Sequence, residues 1–510
     1  MKQLYARCAA FFLSILFAAA FFTACGRESG PDTSTTAGGG QQTTAAPDIT
    51  SSDTLRLPYS QDDSLNPFLA ASAVNIRLAP LVYDSLVKNG ADFRPVPLLA
   101  ESVRQAGLNL TVMLKQGTVF SDGAPLRAQD AADSFRLAKT SPGYARRLDN
   151  IASVKATSEN TLVFTLAKPD PNAAACLDYP VAASPGTGKR PVGSGRYLFP
   201  GAQGTTLVLN QKHPDFAPGI KKIVLVDIKT DAALATNLRI GNIDFTFDNL
   251  ESGSFNRISD NTSEIALNNL VYLAFNSRSA LLADSEIRRA LTLALDSAEI
   301  ASMAFDSHAA AASAPFHPLW TAALGFDFTR VADAGQAAEL LEALGFTAKG
   351  SGGTRYSSRG DLEFSLLVNA ESAFKTEAAA LAAKQLKKAG VTLNVKRLKR
   401  GAFLNAVRSG GWDMYIGEVR LPASMNLSAF FGGAAGYGID ADGGAGAAYR
   451  LYLGGKLNLE EFVETFGMDA PFAPICFTNA VASFSAPLKV HGGGTTSDPF
   501  AGIEDWNFVG

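Results

Sequence analysis

The chain is poor in the residue types and motifs that most often mark catalytic or metal sites. It has only four histidines and four cysteines in 510 residues, and no H-E-x-x-H pair that could hold zinc. A G-x-S-x-G nucleophile elbow, a G-x-x-x-x-G-K-[ST] phosphate loop and a C-x-x-C pair are also absent from the sequence. We therefore expect no cofactor, no metal site and no enzymatic activity. The alternative is an extracytoplasmic hydrolase of peptides or esters whose catalytic residues are dispersed along the sequence.

The sequence also has no excess of charge and few long apolar runs. Its 45 basic and 48 acidic residues give a net charge of −3, with no basic stripe of the kind that binds nucleic acid. After residue 24 no stretch is apolar over the ~20 residues that a membrane-spanning helix needs. Cys176 and Cys476 lie in apolar runs, so we predict buried free thiols rather than a disulfide.

The N-terminus has the pattern of an export signal. Lys2 and Arg7 form a basic tip, and the apolar run Ala9–Phe22 follows it. The sequence Phe22–Cys25 resembles the lipobox of bacterial lipoproteins, which implies cleavage after residue 24 and lipidation of Cys25. The alternative is an ordinary secretory signal with a chance cysteine. We expect the protein on the outer face of the cytoplasmic membrane, or in the periplasm.

Residues 25–52 are predicted to be a disordered tether. This segment is rich in glycine, serine, threonine and alanine and has almost no large apolar residue before Ile49. It cannot bury enough apolar surface to offset the entropy of ordering.

The remaining chain has the alternating pattern of an α/β protein. Thr54–Tyr59 is a short strand candidate. Lys222–Lys229 is predicted as a strand, followed by a helix with Asp231 as its N-cap and a strand at Asp244–Phe247, which would form a β-α-β unit. The long stretch from Ile76 to Pro191 separates these pieces, which suggests a discontinuous domain with an insertion.

The insertion has its own predicted elements. Helices are expected over Ile76–Leu86 and Ala128–Ala138. Asn109–Leu114 and Thr161–Leu166 alternate apolar and polar residues and are predicted to be paired strands.

A second α/β region begins near Val271. Leu362–Val368, Phe374–Lys388 and Val391–Leu398 are predicted as strand, helix and strand, which make a second β-α-β unit. A further strand is expected at Asp413–Val419. We predict two α/β lobes, each with its own sheet, because parallel strands with crossover helices need cover on both faces.

Several segments, in a fixed order, resemble one family. They are Ser64–Pro67, Leu81–Val87, Pro97–Ser102, Phe120–Asp130, Pro191–Tyr197, Ile240–Asp244, Ala274–Asn276 and Ile287–Asp296. Together they resemble the extracytoplasmic solute-binding proteins of ABC importers, in the oligopeptide, dipeptide and nickel-type group called family 5. Most of these motifs are turns and helix starts, so they indicate the scaffold and not the ligand.

The resemblance implies a bilobed, periplasmic-binding-protein-like fold of type II in its large three-domain variant. Lobe I would comprise residues 53–75, 192–267 and 485–510, the inserted domain 76–191, and lobe II 268–484. Two crossover strands would form a hinge, and closure would bury a small solute between the lobes. The implied partners are a peptide-like solute and ABC permease and ATPase subunits, with membrane attachment through the lipid anchor. We expect a monomer.

The sequence does not identify the transported solute. In peptide-binding members of the family, an acidic residue after a tryptophan-containing strand pairs with the peptide's terminal ammonium. This chain has Glu418 and Arg420 at that place. Arg420 would favour a carboxylate or other anionic group. Alternatively, Glu418 could bind an amine, or the two residues could form an internal ion pair. Peptide transport is the default expectation.

Other ligand-binding candidates come from strand ends, where α/β sheets place ligands. They are Tyr59, Asp62, Asp248, Asn249, Asn276, His317 and Trp320. For His317 the alternative is an exposed residue that binds nothing, since a lone loop histidine is more often merely exposed.

Overall fold

A computed structural model describes residues 53–183, 190–201, 203–214, 216–255, 257–328, 330–431, 439–440 and 442–509. The predicted signal segment, Cys25 and the predicted tether lie outside the described residues. The described part of the chain belongs to one compact unit, Ser51–Gly510. Among its helices, none combines the length and the apolar composition that a membrane crossing requires.

The strands of the described residues are short except for two. In chain order they are β1 (Thr54–Tyr59), β2 (Val87–Asn89), β3 (Pro95–Pro97), β4 (Ala100–Ala106), β5 (Asn109–Leu114), β6 (Ile151–Ala156), β7 (Thr161–Leu166), β8 (Tyr197–Leu198), β9 (Thr206–Leu209), β10 (Lys222–Asp227), β11 (Phe245–Asp248), β12 (Thr262–Phe275), β13 (Ala309–Ala311), β14 (Ala348–Lys349), β15 (Arg355–Ser357), β16 (Gly360–Asp361), β17 (Glu363–Asn369), β18 (Thr392–Leu398), β19 (Met414–Arg420), β20 (Phe472–Phe484), β21 (Leu488–Lys489) and β22 (Asn507–Phe508).

The helices lie mostly in the second half of the chain. They are α1 (Ala73–Val82), α2 (Ala128–Ala138), α3 (Asp231–Arg239), α4 (Ser285–Leu293), α5 (Ser297–Ala304), α6 (Ala334–Ala343), α7 (Ala373–Lys388), α8 (Arg400–Ser409), α9 (Ser428–Phe431), α10 (Gly444–Leu453) and α11 (Leu459–Asp469). Short 3₁₀ turns occur at Ala145–Leu148, Ala173–Cys176, Thr321–Ala323 and Ile503–Asp505.

Two four-stranded sheets form the first half of the body. One has the order β1-β10-β9-β8, with β1 parallel to β10. The other is antiparallel, with the order β4-β5-β7-β6, and comes entirely from the predicted insertion. Strand β5 buries every second side chain, Leu110, Val112 and Leu114, as its alternating sequence predicts. The predicted strand pair and the helix Ala128–Ala138 are confirmed.

A seven-stranded mixed sheet forms the second half. Its order is β11-β20-β12-β19-β17-β18, with β13 beside β20. Strands β17 and β18 are parallel and are joined by α7, so the second predicted β-α-β unit is confirmed. Asp296 caps α5 through the backbone N–H of Glu299, as its sequence spacing predicts.

Strands β12 and β20 are long and contribute to two hydrophobic cores. Ile265 and Ala480 pack in the core shared by the two four-stranded sheets, whereas Leu273 and Ile475 pack in a core of the seven-stranded sheet. These strands therefore connect the two halves of the body. The exact division into two lobes and an inserted domain stays a prediction.

Three local predictions are wrong. Thr230, not Asp231, is the N-cap of α3, since its side chain accepts the backbone N–H of Ala233. Strands β10 and β11 lie in different sheets, so they do not form a β-α-β unit of one sheet. The first helix of the insertion begins three residues early, at Ala73, and ends at Val82. The prediction of buried free thiols at Cys176 and Cys476 is confirmed.

Candidate functional site

Segments far apart in the sequence meet around one large cavity of about 820 Å³. The predicted insertion supplies the turn after β2 and the segments around residues 142–150 and 167–178. The far wall is the end of β19 with the loop that follows it, and residues 494–497 near the C-terminus complete the lining. A volume of this size lies within the range of ~300–1,000 Å³ that is usual for small-ligand sites.

The end of β19 brings Glu418 and Arg420 into the wall. Residues two apart on a strand point to the same face, so Glu418 and Arg420 lie on one face of β19, and both residues line the cavity. Glu418 is bound by Lys375, with an Nζ to Oε2 distance of 2.5 Å, and by Asn269, with an Nδ2 to Oε1 distance of 2.9 Å. Within the described residues Glu418 and Arg420 form no ion pair with each other, so the alternative of an internal pair is wrong.

Arg420 has no hydrogen-bond or ion-pair partner for its guanidinium among the described residues. Its side chain is exposed, yet burial is the main cause that lowers the pKa of Arg420. The two observations are compatible, because a residue that lines a cavity can be reached by solvent while the cavity walls surround it. Arg147 lowers the pKa of Arg420 further, whereas Glu251 and Asp178 raise it.

The wall formed by the predicted insertion holds a largely buried ion pair. Arg147 donates to Asp178, which also accepts from Nδ2 of Asn89 at 3.0 Å. Burial favours loss of the Arg147 proton, but Asp178, Tyr144 and Cys176 together outweigh this effect and raise the pKa of Arg147. The charges of Arg147 and Asp178 therefore neutralise each other within the cavity wall.

Asp170 connects the two walls. Its Oδ2 accepts from the hydroxyl of Ser424 at 3.0 Å and from Nδ2 of Asn426 at 2.9 Å, both in the loop after β19. Burial raises the pKa of Asp170, and the hydrogen bonds from Asn426, from the backbone N–H of Asn172 and from Ser424 oppose this shift. The carboxyl group therefore orders the loop that carries part of the site.

Comparison with known protein families assigns the chain to one of them. The family model described as "bacterial extracellular solute-binding proteins, family 5 Middle" matches residues 94–435, which is more than half of the chain. The chain belongs to family 5 of the bacterial extracellular solute-binding proteins. The region matched contains the Arg147–Asp178 pair, Asp170 and the end of β19.

Individual relatives agree with this assignment. The sequence is 24% identical to the oligopeptide-binding protein AppA of Bacillus subtilis (strain 168) over 363 residues. This alignment covers 65% of this chain and 66% of the relative. The chain thus spans just under two thirds of that curated relative. The MppA periplasmic murein tripeptide-binding protein, in its unliganded open form, has a TM-score of 0.73 at 19% identity, with 89% of this chain and 97% of that chain covered. NikA from Brucella suis, in complex with Fe(III)-EDTA, has a TM-score of 0.65 at 18% identity, with 89% and 100% covered. The predicted α/β, type II periplasmic-binding-protein-like fold is confirmed.

The other predicted site residues of this family 5 chain do not line the cavity. Tyr59 is buried in the core, and Asp62 is exposed and pairs with Lys229 at 3.0 Å. Asp248 and Asn249 accept backbone N–H groups two residues further on, in a turn.

The lobe II candidates have structural contacts. Asn276 donates to the carbonyl oxygens of Gly410 and Trp412, at 3.2 and 2.6 Å. Trp320 is buried against Phe316, with ring centroids 4.9 Å apart. Among the predicted residues, only Glu418 and Arg420 are brought together at the cavity.

His317 is buried between two aromatic rings. Its ring centroid lies 4.7 Å from that of Phe93 and 4.9 Å from that of Phe477. Nδ1 accepts the backbone N–H of Leu319 at 3.0 Å, and the buried Nε2 has no acceptor among the described residues. Burial accordingly lowers the pKa of His317 to about 4.

Acid is expected to destabilise the protein through His317. The unfolded chain binds this proton near pH 6.5 and the folded chain near pH 4, so stability falls as pH drops through this window. Between pH 7 and pH 5 the residue should cost about 2 kcal/mol of unfolding free energy. Urea unfolding of the wild type and of His317→Asn at both pH values checks this. Equal losses for the two proteins would contradict it.

Proposed function

We propose that the protein is the solute-binding subunit of an ABC importer. It captures a small, peptide-like solute in the 820 Å³ cavity and delivers it, chemically unchanged, to a permease with its ATPase subunits. The observation that carries this proposal is the convergence of the insertion, the end of β19 and residues 494–497 on one charged cavity in a family 5 chain.

Strands β12 and β20 support a hinge. We infer that the two halves of the body rotate about these strands, because they are the covalent and hydrogen-bonded link between separate cores. Solute that touches both walls stabilises the closed arrangement, since only differential contacts shift such an equilibrium. Asp170 and its partners Ser424 and Asn426 mark where the walls already meet.

The name of AppA, an oligopeptide-binding protein, supports a peptide-like solute. The proposed place of action is outside the cytoplasmic membrane, with the mature chain anchored through lipidated Cys25. We propose that the protein is a monomer and that one copy of the chain binds the solute.

Native mass spectrometry of the purified full-length chain tests the proposal. We expect an adduct of a peptide-like mass that is released unaltered on acid denaturation. Ala423→Trp, which fills part of the cavity, should lose the adduct and keep the fold. Truncated product masses would favour a hydrolase, and an adduct that persists in Ala423→Trp would contradict binding in this cavity.

A further inference from the structure

Three of the five acidic side chains that line the cavity, Asp170, Asp178 and Glu418, are already bound by the protein, whereas Asp149 and Glu251 are exposed. Asp178 is paired with Arg147, and Asp170 accepts from Ser424 and Asn426. These carboxylates cannot bind a cationic group of a solute without first losing a protein partner. Such a loss is costly at a buried site.

Glu418 is bound in the same way, through both of its oxygens. Lys375, in the first turn of α7, forms an ion pair with Oε2, and Asn269 on β12 donates a hydrogen bond to Oε1. The side chains of Lys375 and Glu418 are each only about one fifth exposed, so this ion pair is largely shielded from water. The Lys375 ammonium therefore occupies the position that an amino group of a solute would need beside Glu418.

Arg420 shows the opposite situation. Arg420 is an exposed residue of the cavity lining, and its guanidinium has no acceptor among the described residues. Two other arginines lie within electrostatic range, since Arg147 lowers the pKa of Arg420, and Arg420 in turn lowers the pKa of Arg77. Glu251 and Asp178 act in the opposite direction and raise the pKa of Arg420. A guanidinium in these surroundings is stabilised by an additional anion.

The charge of the whole lining limits the anion. Five acidic residues (Asp149, Asp170, Asp178, Glu251 and Glu418) and four basic residues (Arg146, Arg147, Lys168 and Arg420) line the cavity. Because the lining has no excess of positive charge, it disfavours the binding of a solute group with two negative charges. A single planar carboxylate suits a guanidinium, because two parallel N–H groups can donate to its two oxygens.

We propose that Arg420 binds a carboxylate of the solute, and that a free amino group on the solute is not required. The proposal rests on the proposed function and specifies its substrate class: peptide-like acids, including those with a blocked amino terminus. Recognition thus depends on the acidic end of the solute and on Arg420.

Three pools of tripeptides test this with the full-length protein. The tripeptides consist of uncharged residues and are used unblocked, N-acetylated or C-amidated, with affinity measured by calorimetry. The N-acetylated pool should bind within about threefold of the unblocked pool, and amidation should weaken binding by about tenfold or more. Arg420→Gln should bind the unblocked and amidated pools equally. Arg146→Gln, which changes an exposed arginine of the same cavity, is the matched control and should keep the preference.

Lys375→Met provides a second test that does not depend on loss of binding. Removal of the ammonium frees Glu418, so the unblocked pool should now bind about tenfold or more tightly than the N-acetylated pool. Loss of binding on N-acetylation of the wild-type ligands, or a preference for the acid that survives in Arg420→Gln, would overturn the inference and leave the proposed function intact. If no pool binds the wild type, the peptide-like solute of the proposed function is itself contradicted.

Discussion

Asp244→Ala is expected to lower the free energy of unfolding by about 3 to 5 kcal/mol, because it removes one partner of a buried ion pair. The Asp244 side chain is fully buried and accepts from Nε and the backbone N–H of Arg56, at 2.9 and 2.8 Å. It also accepts from another Arg56 nitrogen at 2.7 Å and from the Ser485 hydroxyl at 3.1 Å. These bonds hold β1, the start of β11 and the end of β20 together, and thus join the two sheets at the proposed hinge.

Urea unfolding of Asp244→Ala measures this effect. Asp62→Ala is the matched control, because Asp62 also pairs with a basic side chain, Lys229, but is about three quarters exposed. A surface pair of this kind contributes little, so the control should unfold at the same urea concentration as the wild type. If both variants unfold alike, the buried pair does not have the role assigned to it.

Gly193→Ala is expected to destabilise the protein by about 3 kcal/mol or more, because the added Cβ atom would collide with the backbone of α1. A Cβ atom at this position would lie 1.9 Å from the carbonyl oxygen of Val82, the last residue of α1, and 2.8 Å from the ring of Tyr83. The same carbonyl accepts the N–H of Gly195 at 2.9 Å, so it cannot move away without breaking that bond.

The measurement is thermal or urea unfolding beside Gly201→Ala. At Gly201 a Cβ atom would meet only the carbonyl oxygen of Gln203, at 3.8 Å, which is an ordinary contact. Gly201→Ala should therefore be close to the wild type in stability. Wild-type stability of Gly193→Ala would show that α1 does not approach this loop as closely as described.

These two positions explain what the family-like motifs could and could not predict. The segments Pro191–Tyr197 and Ile240–Asp244 identified the scaffold from sequence alone, and the structure gives Gly193 and Asp244 packing and ion-pair roles. Local signals were sufficient for such elements as α2, β5 and the cap at Asp296, because alternation and capping are properties of neighbouring residues.

Non-local pairing could not be predicted in the same way. Strand β11 pairs with β20, more than 200 residues further along the chain, instead of with β10 just before it. Sequence reasoning placed Glu418 and Arg420 at a strand end but could not show which of several strand ends faces a cavity. Asp170 and Arg147 were missed because only the tertiary fold brings the insertion to the end of β19.

Hydrogen exchange of the full-length chain, with and without the solute that co-purifies with it, tests the central claim most directly. A solute held in the cavity should slow backbone exchange in residues 142–150, 418–426 and 494–497 together, since these segments line it jointly. Slowed exchange elsewhere, with none of these three segments affected, would contradict the account.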